Sequence, residues 1–257
     1  MLNRVLDVVA PLSDLPPIVV HGSNGDILKA TLPNRQVSWV LQSEQRGTGH
    51  AVLQALPELE NSDLVLIVCA DVPLIKTETL RCLTEKAKNA EGFSVLTVKL
   101  EQPEGYGRIF RNKNGGVEKI VETIDLDESD RNIKECNSGI FAIEASYLKR
   151  WLPNLKAKNM QNEFYLTDCV SFANKEKLDV VALGVEHPSE VFGVNDRKQL
   201  AQAERAFQNR TAIDLLESGL TLLDPSRLDV RGELVFGRDV VVDVNVIFEG
   251  RVILGDG

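Results

Sequence analysis

The sequence predicts an α/β domain with a mostly parallel sheet, followed by the first coils of a left-handed parallel β-helix. Three observations predict it. Strand-like and helix-like segments alternate up to about residue 225, the pattern of an α/β layer fold. Leu64-Val65-Leu66-Ile67-Val68-Cys69 is an unbroken apolar run, as expected of a central parallel strand covered on both faces. From about Leu228 the period changes to six: Val230, Phe236, Val242, Phe248 and Leu254 are bulky, and Leu234, Val240, Val246 and Val252 repeat the interval four residues on. Ordinary strands alternate with period two, so a register of six marks hexapeptide coils that are stable only when stacked.

In order along the chain, Met1 to Asp7 reads as an amphipathic helix. Pro17 to Val20 and Val37 to Leu41 read as short strands, and Gly49 to Leu56 as a helix. Thr77 to Ala90 is helical in its apolar spacing, and strands are expected at Phe93 to Leu100, Gly107 to Phe110 and Gly139 to Ile143. Asp196 to Ser218 predicts a long helix that stops at Gly219. The domain reading is 1–195, a linker helix and connection over 196–227, and β-helix coils over 228–257.

With 43% hydrophobic and 26% charged residues, the chain can bury a sizeable core. A net charge of −9 argues against nucleic acid or a membrane surface as partner, since both are polyanions. No apolar run approaches the roughly 18 residues of a membrane span, and the amino terminus lacks the pattern of a secretory signal. Cys69, Cys82, Cys136 and Cys169 form no C-x-x-C pair and read as free thiols, which favours a cytoplasmic location.

The candidate chemistry lies at strand ends. Gln45-Arg46-Gly47-Thr48-Gly49-His50-Ala51 leads from a strand into a helix, where glycines admit close backbone approach and the helix start offers free N–H groups. Taken singly, a tight turn explains it equally well. Gln42, at the end of the preceding strand, carries an amide suited to a planar base edge. Asp71, in Ala70-Asp71-Val72-Pro73-Leu74, follows the apolar strand where open α/β sheets bind ligands. A lone carboxylate there suits Mg²⁺ held jointly with substrate phosphates, or else a cap for the next turn. Glu104-Gly105-Tyr106-Gly107-Arg108-Ile109 is a Gly-rich entry to a strand, while Glu122 and Asn137 are polar strand ends. Asn195 precedes the long helix, where it is equally a routine N-cap. His21 and His187 have no visible constellation, and for His50 a donor or packing role is expected rather than catalysis.

Taken in order, Q-x-x-Q-x-G-T-G-H-A, D-V-P-L, G-Y-G-R-I, I-V-E, N-S-G-I, E-F-Y-L-T-D (Glu163 to Asp168) and G-V-N closely resemble the N-acetylglucosamine-1-phosphate uridylyltransferase domain. The hexapeptide register after a long helix is similar to the glucosamine-1-phosphate acetyltransferase part of the same bacterial bifunctional family, and the resemblance spans essentially the whole chain. It implies a Rossmann-like nucleotide-diphosphosugar transferase fold. It also implies transfer of a uridylyl group from UTP to N-acetylglucosamine 1-phosphate, giving UDP-N-acetylglucosamine and pyrophosphate. Gln42, Gly47 and Thr48 would contact uracil and nucleotide, with Cys69 and Ala70 beside them. Asp71 and Asn195 would hold Mg²⁺ and serve the chemistry, and Gly107, Glu122 and Asn137 would hold the sugar and its N-acetyl group. The family assembles as a homotrimer.

The sequence departs from that family in three places. The family's opening strand and phosphate loop, L-x-A-G-x-G-T-R-M with a later Pro-Lys, has no counterpart. Cys69-Ala70 stands where the family has Tyr-Gly, and the hexapeptide coils stop within a repeat at Gly255-Asp256-Gly257, before any acetyl-CoA site. The expectation is a cut-down form that folds poorly, because lost strand pairing leaves buried backbone groups unsatisfied, and that turns over little substrate. Two other readings compete: a non-catalytic UDP-sugar-binding module, and a glycosyltransferase of the same fold. The latter would use a D-x-D motif, which only Asp125-Leu126-Asp127 supplies, inside an acidic run that reads as a solvated loop. A stand-alone hexapeptide acyltransferase would need more coils and a histidine within them.

Overall fold

The computed structural model describes residues 1–59 and 64–257, which form two compact units, Met1–Val191 and Phe192–Gly257. Along the first unit the order is α1 (Leu2–Val9), β1 (Ile18–His21), α2 (Gly25–Thr31), β2 (Ser38–Leu41) and α3 (Thr48–Ala55). Then come β3 (Leu64–Ile67), α4 (Thr77–Asn89), β4 (Phe93–Lys99), β5 (Arg108–Arg111), β6 (Val117–Val121) and β7 (Glu135–Glu144). The unit closes with α5 (Ala145–Trp151), α6 (Cys169–Lys175) and β8 (Val181–Gly184).

Among the described residues the main sheet has six strands, ordered β6-β5-β7-β4-β8 with β3 also paired to β7. It is mixed, which corrects the expectation of a mostly parallel sheet. Only β4 with β8 is parallel; β3/β7, β4/β7, β5/β6 and β5/β7 are all antiparallel. The reason is connection length. β5 and β6 are joined through a tight turn in which Asn112 N–H donates to the Gly116 carbonyl at 2.9 Å, and a short link can only reverse the chain. The alternating pattern was sound for β1, β2 and β4 but did not register this hairpin.

The apolar run at Leu64 to Cys69 is likewise corrected. Its regular part is antiparallel to β7 and, among the described residues, pairs with nothing on its other side. It is an edge, so all four of its residues stay half-buried although both faces touch apolar clusters. By contrast β4, flanked by β7 and β8, buries every residue from Phe93 to Val98. β1 and β2 form a separate two-stranded parallel sheet.

Period two sorts the core. Phe93, Val95, Phe141 and Ile143 face one way, against Leu148 and Trp151 of α5 and Val170 of α6. Leu96, Val98, Ile140 and Ala142 face the other way, against Leu80, Leu83 and Ala87 of α4. Both clusters pin β7 rigidly, and β7 carries Asn137.

In the second unit α7 (Arg197–Glu217) begins with Asp196 accepting the Gln199 N–H at 2.7 Å. It ends in a Schellman motif: Gly219, at φ +102°, and Leu220 donate to the carbonyls of Leu216 and Leu215, each at 3.0 Å. Beyond it lie β9 (Thr221–Leu222), β10 (Leu228–Val235), β11 (Val241–Val242) and β12 (Val246–Ile253). β10 and β12 pair in parallel with Leu228 opposite Val246, three six-residue intervals on. The period therefore has a structural meaning. Val230, Val240 and Val242 are buried together, with Leu234, Phe236, Val246, Phe248 and Leu254 packed on them.

Candidate functional site

The first half of the site grows from the end of β2. Gln42 continues the ladder, its N–H donating to the His21 carbonyl at 2.8 Å. Its side chain, 8% exposed, turns inward: the amide nitrogen lies 3.2 Å from the Gly47 carbonyl oxygen and 2.9 Å from His50 Nδ1. Gly47 has φ +102°, and a Cβ there would stand 2.7 Å from the Phe164 carbonyl oxygen. The same peptide stretch is stitched down by Phe164 N–H to the Arg46 carbonyl and Gly49 N–H to the Phe164 carbonyl, both at 2.8 Å. Leu166 N–H completes the clasp by donating to Thr48 Oγ1 at 3.1 Å. The glycines therefore let this turn pack against the segment at 163–166.

The second half lies at the ends of β3, β5, β6 and β7. After β3, Val72 N–H closes a turn onto the Cys69 carbonyl at 3.3 Å, leaving Ala70 exposed and Asp71 half-buried. Among the described residues the Asp71 carboxylate makes no hydrogen bond or ion pair. Burial, with Asp71 adding to it, pushes the Cys69 thiol up to about 12, so it stays protonated and is no nucleophile. Its sulfur sits 3.5 Å from the Gly139 carbonyl oxygen, tying the post-β3 turn to β7.

Gly107, Glu122 and Asn137 come together. The Asn137 N–H donates to the Gly107 carbonyl at 2.8 Å, and a Cβ on Gly107 would be 3.1 Å from Glu122 Oε2. Asn137 Oδ1 accepts the Gly139 N–H at 3.0 Å, and its amide nitrogen has no hydrogen bond among the described residues. Glu122 Oε1 accepts from the Thr167 hydroxyl at 3.3 Å. Its carboxyl is held above the ordinary carboxylate range, chiefly by burial, with Asp125, Asp168 and Glu163 adding to the rise and Thr167 opposing it.

Asn195 lies in the other compact unit. It is exposed just ahead of α7, and its backbone N–H goes to Gln199 Oε1 at 2.6 Å while Asp196 takes the capping role. Its side-chain amide has no hydrogen bond among the described residues. The acidic run at 125–130 falls largely in two short 3-10 turns, with Asp125 Oδ1 accepting the Met160 N–H at 3.0 Å.

A family model for the MobA-like NTP transferase domain matches residues 1–217. The chain belongs to the MobA-like NTP transferase family. Within it, the whole chain aligns at 44% identity with the bifunctional protein GlmU of Legionella pneumophila (strain Lens), covering 57% of that protein. It aligns at 46% with the GlmU of Nitrosococcus oceani and 47% with that of Thiobacillus denitrificans, covering 56% of each. The chain thus spans little more than half the length of these relatives. Among solved structures, UDP-glucose pyrophosphorylase complexed with UDP-glucose superposes with a TM-score of 0.65 at 16% identity, over 81% of this chain and 87% of that one. A likeness at that identity shows a shared fold.

For a MobA-like NTP transferase, the sequence leaves two side-chain contacts of the candidate site unmarked. Thr167, within E-F-Y-L-T-D, has no role legible from its sequence, yet it bonds Glu122 while its neighbour Leu166 bonds Thr48. His50, expected to donate or pack, also sets its Nδ1 2.9 Å from the Gln42 amide nitrogen, a pairing the sequence did not suggest. The motif register was the nearest signal for the first; nothing in the sequence marked the second.

Proposed function

We propose that this chain supplies the uridine- and sugar-recognising part of an enzyme that transfers a uridylyl group from UTP to N-acetylglucosamine 1-phosphate, forming UDP-N-acetylglucosamine. One observation carries the reading: the segment at 163–168 bonds both the Thr48 loop and Glu122, so the base half and the sugar half are built as one body. In this reading Gln42, Gly47 and Thr48 meet the uracil and ribose side, with Cys69, Ala70 and Asp71 alongside. The Gly107 backbone, the Glu122 carboxylate and the Asn137 amide nitrogen meet the sugar hydroxyls and the N-acetyl group.

The reaction is a displacement at the α-phosphorus by the sugar phosphate, with pyrophosphate leaving. It requires positioning and charge neutralisation and no covalent protein nucleophile. In this reading the Asp71 carboxylate and the Asn195 amide oxygen would each be a candidate ligand for Mg²⁺, which takes hard oxygens; neither has a hydrogen bond among the described residues. Mg²⁺, when bound, would neutralise phosphate charge. The chain's own groups orient the two substrates. We further propose a cytoplasmic location, the domain division 1–195, 196–227 and 228–257, and a homotrimeric full-length enzyme. In that enzyme the parallel coils begin a left-handed β-helix that acetylates glucosamine 1-phosphate with acetyl-CoA.

A second reading is that the chain binds UDP-sugar without turning it over. A thermal melt with UDP-N-acetylglucosamine and Mg²⁺ tests the shared core of both. At a hundredfold excess over Kd the ligand should add about 2.7 kcal/mol of stability. Absence of any shift overturns both readings, and product formation from UTP and N-acetylglucosamine 1-phosphate selects the first over the second.

A further inference from the structure

The Gln42–His50 contact has a direction that the surrounding atoms fix. The Gly47 carbonyl oxygen can only accept, so the Gln42 atom 3.2 Å from it is the amide nitrogen. That nitrogen's second hydrogen points at His50 Nδ1, 2.9 Å away, which must therefore present a lone pair. In the neutral ring the proton then sits on Nε2, 3.2 Å from the end of the Gln54 side chain. The oxygen and nitrogen of an amide end exchange by a flip, so Gln54 turns its oxygen to that N–H. The Phe164 ring, its centroid 6.1 Å from that of His50, flanks the imidazole. Both hydrogens of the Gln42 amide are thus consumed. Its carbonyl oxygen has no partner among the described residues and is not among the buried unsatisfied atoms, so it faces outward as a committed acceptor.

We propose that His50 is a specificity-determining positioning residue: by accepting from the Gln42 amide it holds the Gln42 oxygen outward, so that the site takes a pyrimidine with a donor at N3. Uracil carries N3–H. Cytosine has a lone pair there, which would face the Gln42 oxygen with no hydrogen between them. The proposal rests on the reading that Gln42 meets the base. In this proposal His50 acts through Gln42 rather than on the base or the phosphates.

The test is calorimetric titration of the 257-residue chain with UDP and with CDP, each with Mg²⁺. The wild-type chain should prefer UDP by about tenfold or more, the worth of one hydrogen bond against an unpaired acceptor. His50→Leu removes the lone pair and frees the amide to rotate, so the preference should fall to within about twofold while thermal melting shows a folded chain. His50→Asn returns an oxygen at the position of Nδ1 and should restore the preference. Gln54→Leu, which leaves the ring in place without its Nε2 partner, should lower the preference and serves where His50→Leu fails to fold. An unchanged UDP preference in folded His50→Leu, or in Gln54→Leu if His50→Leu does not fold, overturns the inference and leaves the proposed function standing. Failure of the wild-type chain to bind either nucleotide overturns the proposed function itself.

Discussion

Thr167 Oγ1 donates to Glu122 Oε1 at 3.3 Å, joining residues that stand 45 positions apart in the chain. Glu122 directly follows β6 and Thr167 lies in the turn before α6, so neither helix nor strand period connects them. The hydroxyl opposes the burial that raises the Glu122 carboxyl, and it keeps the carboxylate aimed beside Gly107.

The sign of the resulting pH dependence follows from that rise. An acid whose folded value lies above its ordinary 4.5 binds more protons in the fold than in the unfolded chain. Stability therefore declines as pH climbs from 4.5 through the raised folded value. Glu122→Gln should flatten the decline of the melting temperature over that window, with Asp168, also raised chiefly by burial, keeping part of it. Thr167→Val, which deletes the opposing hydrogen bond, should steepen the decline and extend it to higher pH. Melts across about pH 4 to 8 measure both.

Gly47→Ala should destabilise the first unit by about 1–3 kcal/mol. The residue needs φ +102°, and the new methyl would stand 2.7 Å from a backbone oxygen that cannot swing away. Denaturant unfolding of the variant reads the loss, and nucleotide affinity should fall with it because Gly47 fixes the Gln42 amide.

In the second unit, Gln208 is 1% exposed in the middle of α7. Its amide clamps Val230, accepting the backbone N–H at 2.8 Å and donating to the carbonyl at 3.2 Å. Gln208→Leu keeps the volume and strands two buried backbone groups, a cost of about 1–3 kcal/mol for each. Hydrogen exchange at the Val230 amide should accelerate, whereas exchange in β4 should be unchanged.

Asp71→Asn keeps the shape of the post-β3 turn and removes the charge offered to a cation. The gain in UDP-N-acetylglucosamine affinity that Mg²⁺ provides should shrink by about tenfold or more, while affinity measured without Mg²⁺ should hold. Titrations with and without Mg²⁺ separate the two terms.

Much of this protein is legible without coordinates because the information is local. The long helix and its stop at Gly219 follow from side chains within a few residues of each other, although the cap falls on Asp196 and not on Asn195, the candidate the sequence offered. The period of six is also local in the sequence, and it is matched by the parallel register of β10 with β12 and by the apolar cluster that the periodic residues share. The order of the motifs likewise announced the family before any contact was known.

Tertiary structure alone decided the rest. An apolar run such as Leu64 to Ile67 reads the same whether its neighbours run parallel or antiparallel, because burial is set by what lies above and below a strand, while direction is set by connections elsewhere. Hydrogen bonds between distant segments leave no period in the sequence either. The clasp from Leu166 to Thr48, the bond from Thr167 to Glu122 and the lone pair that His50 turns toward Gln42 exist only where the folded chain brings those atoms within about 3 Å of each other.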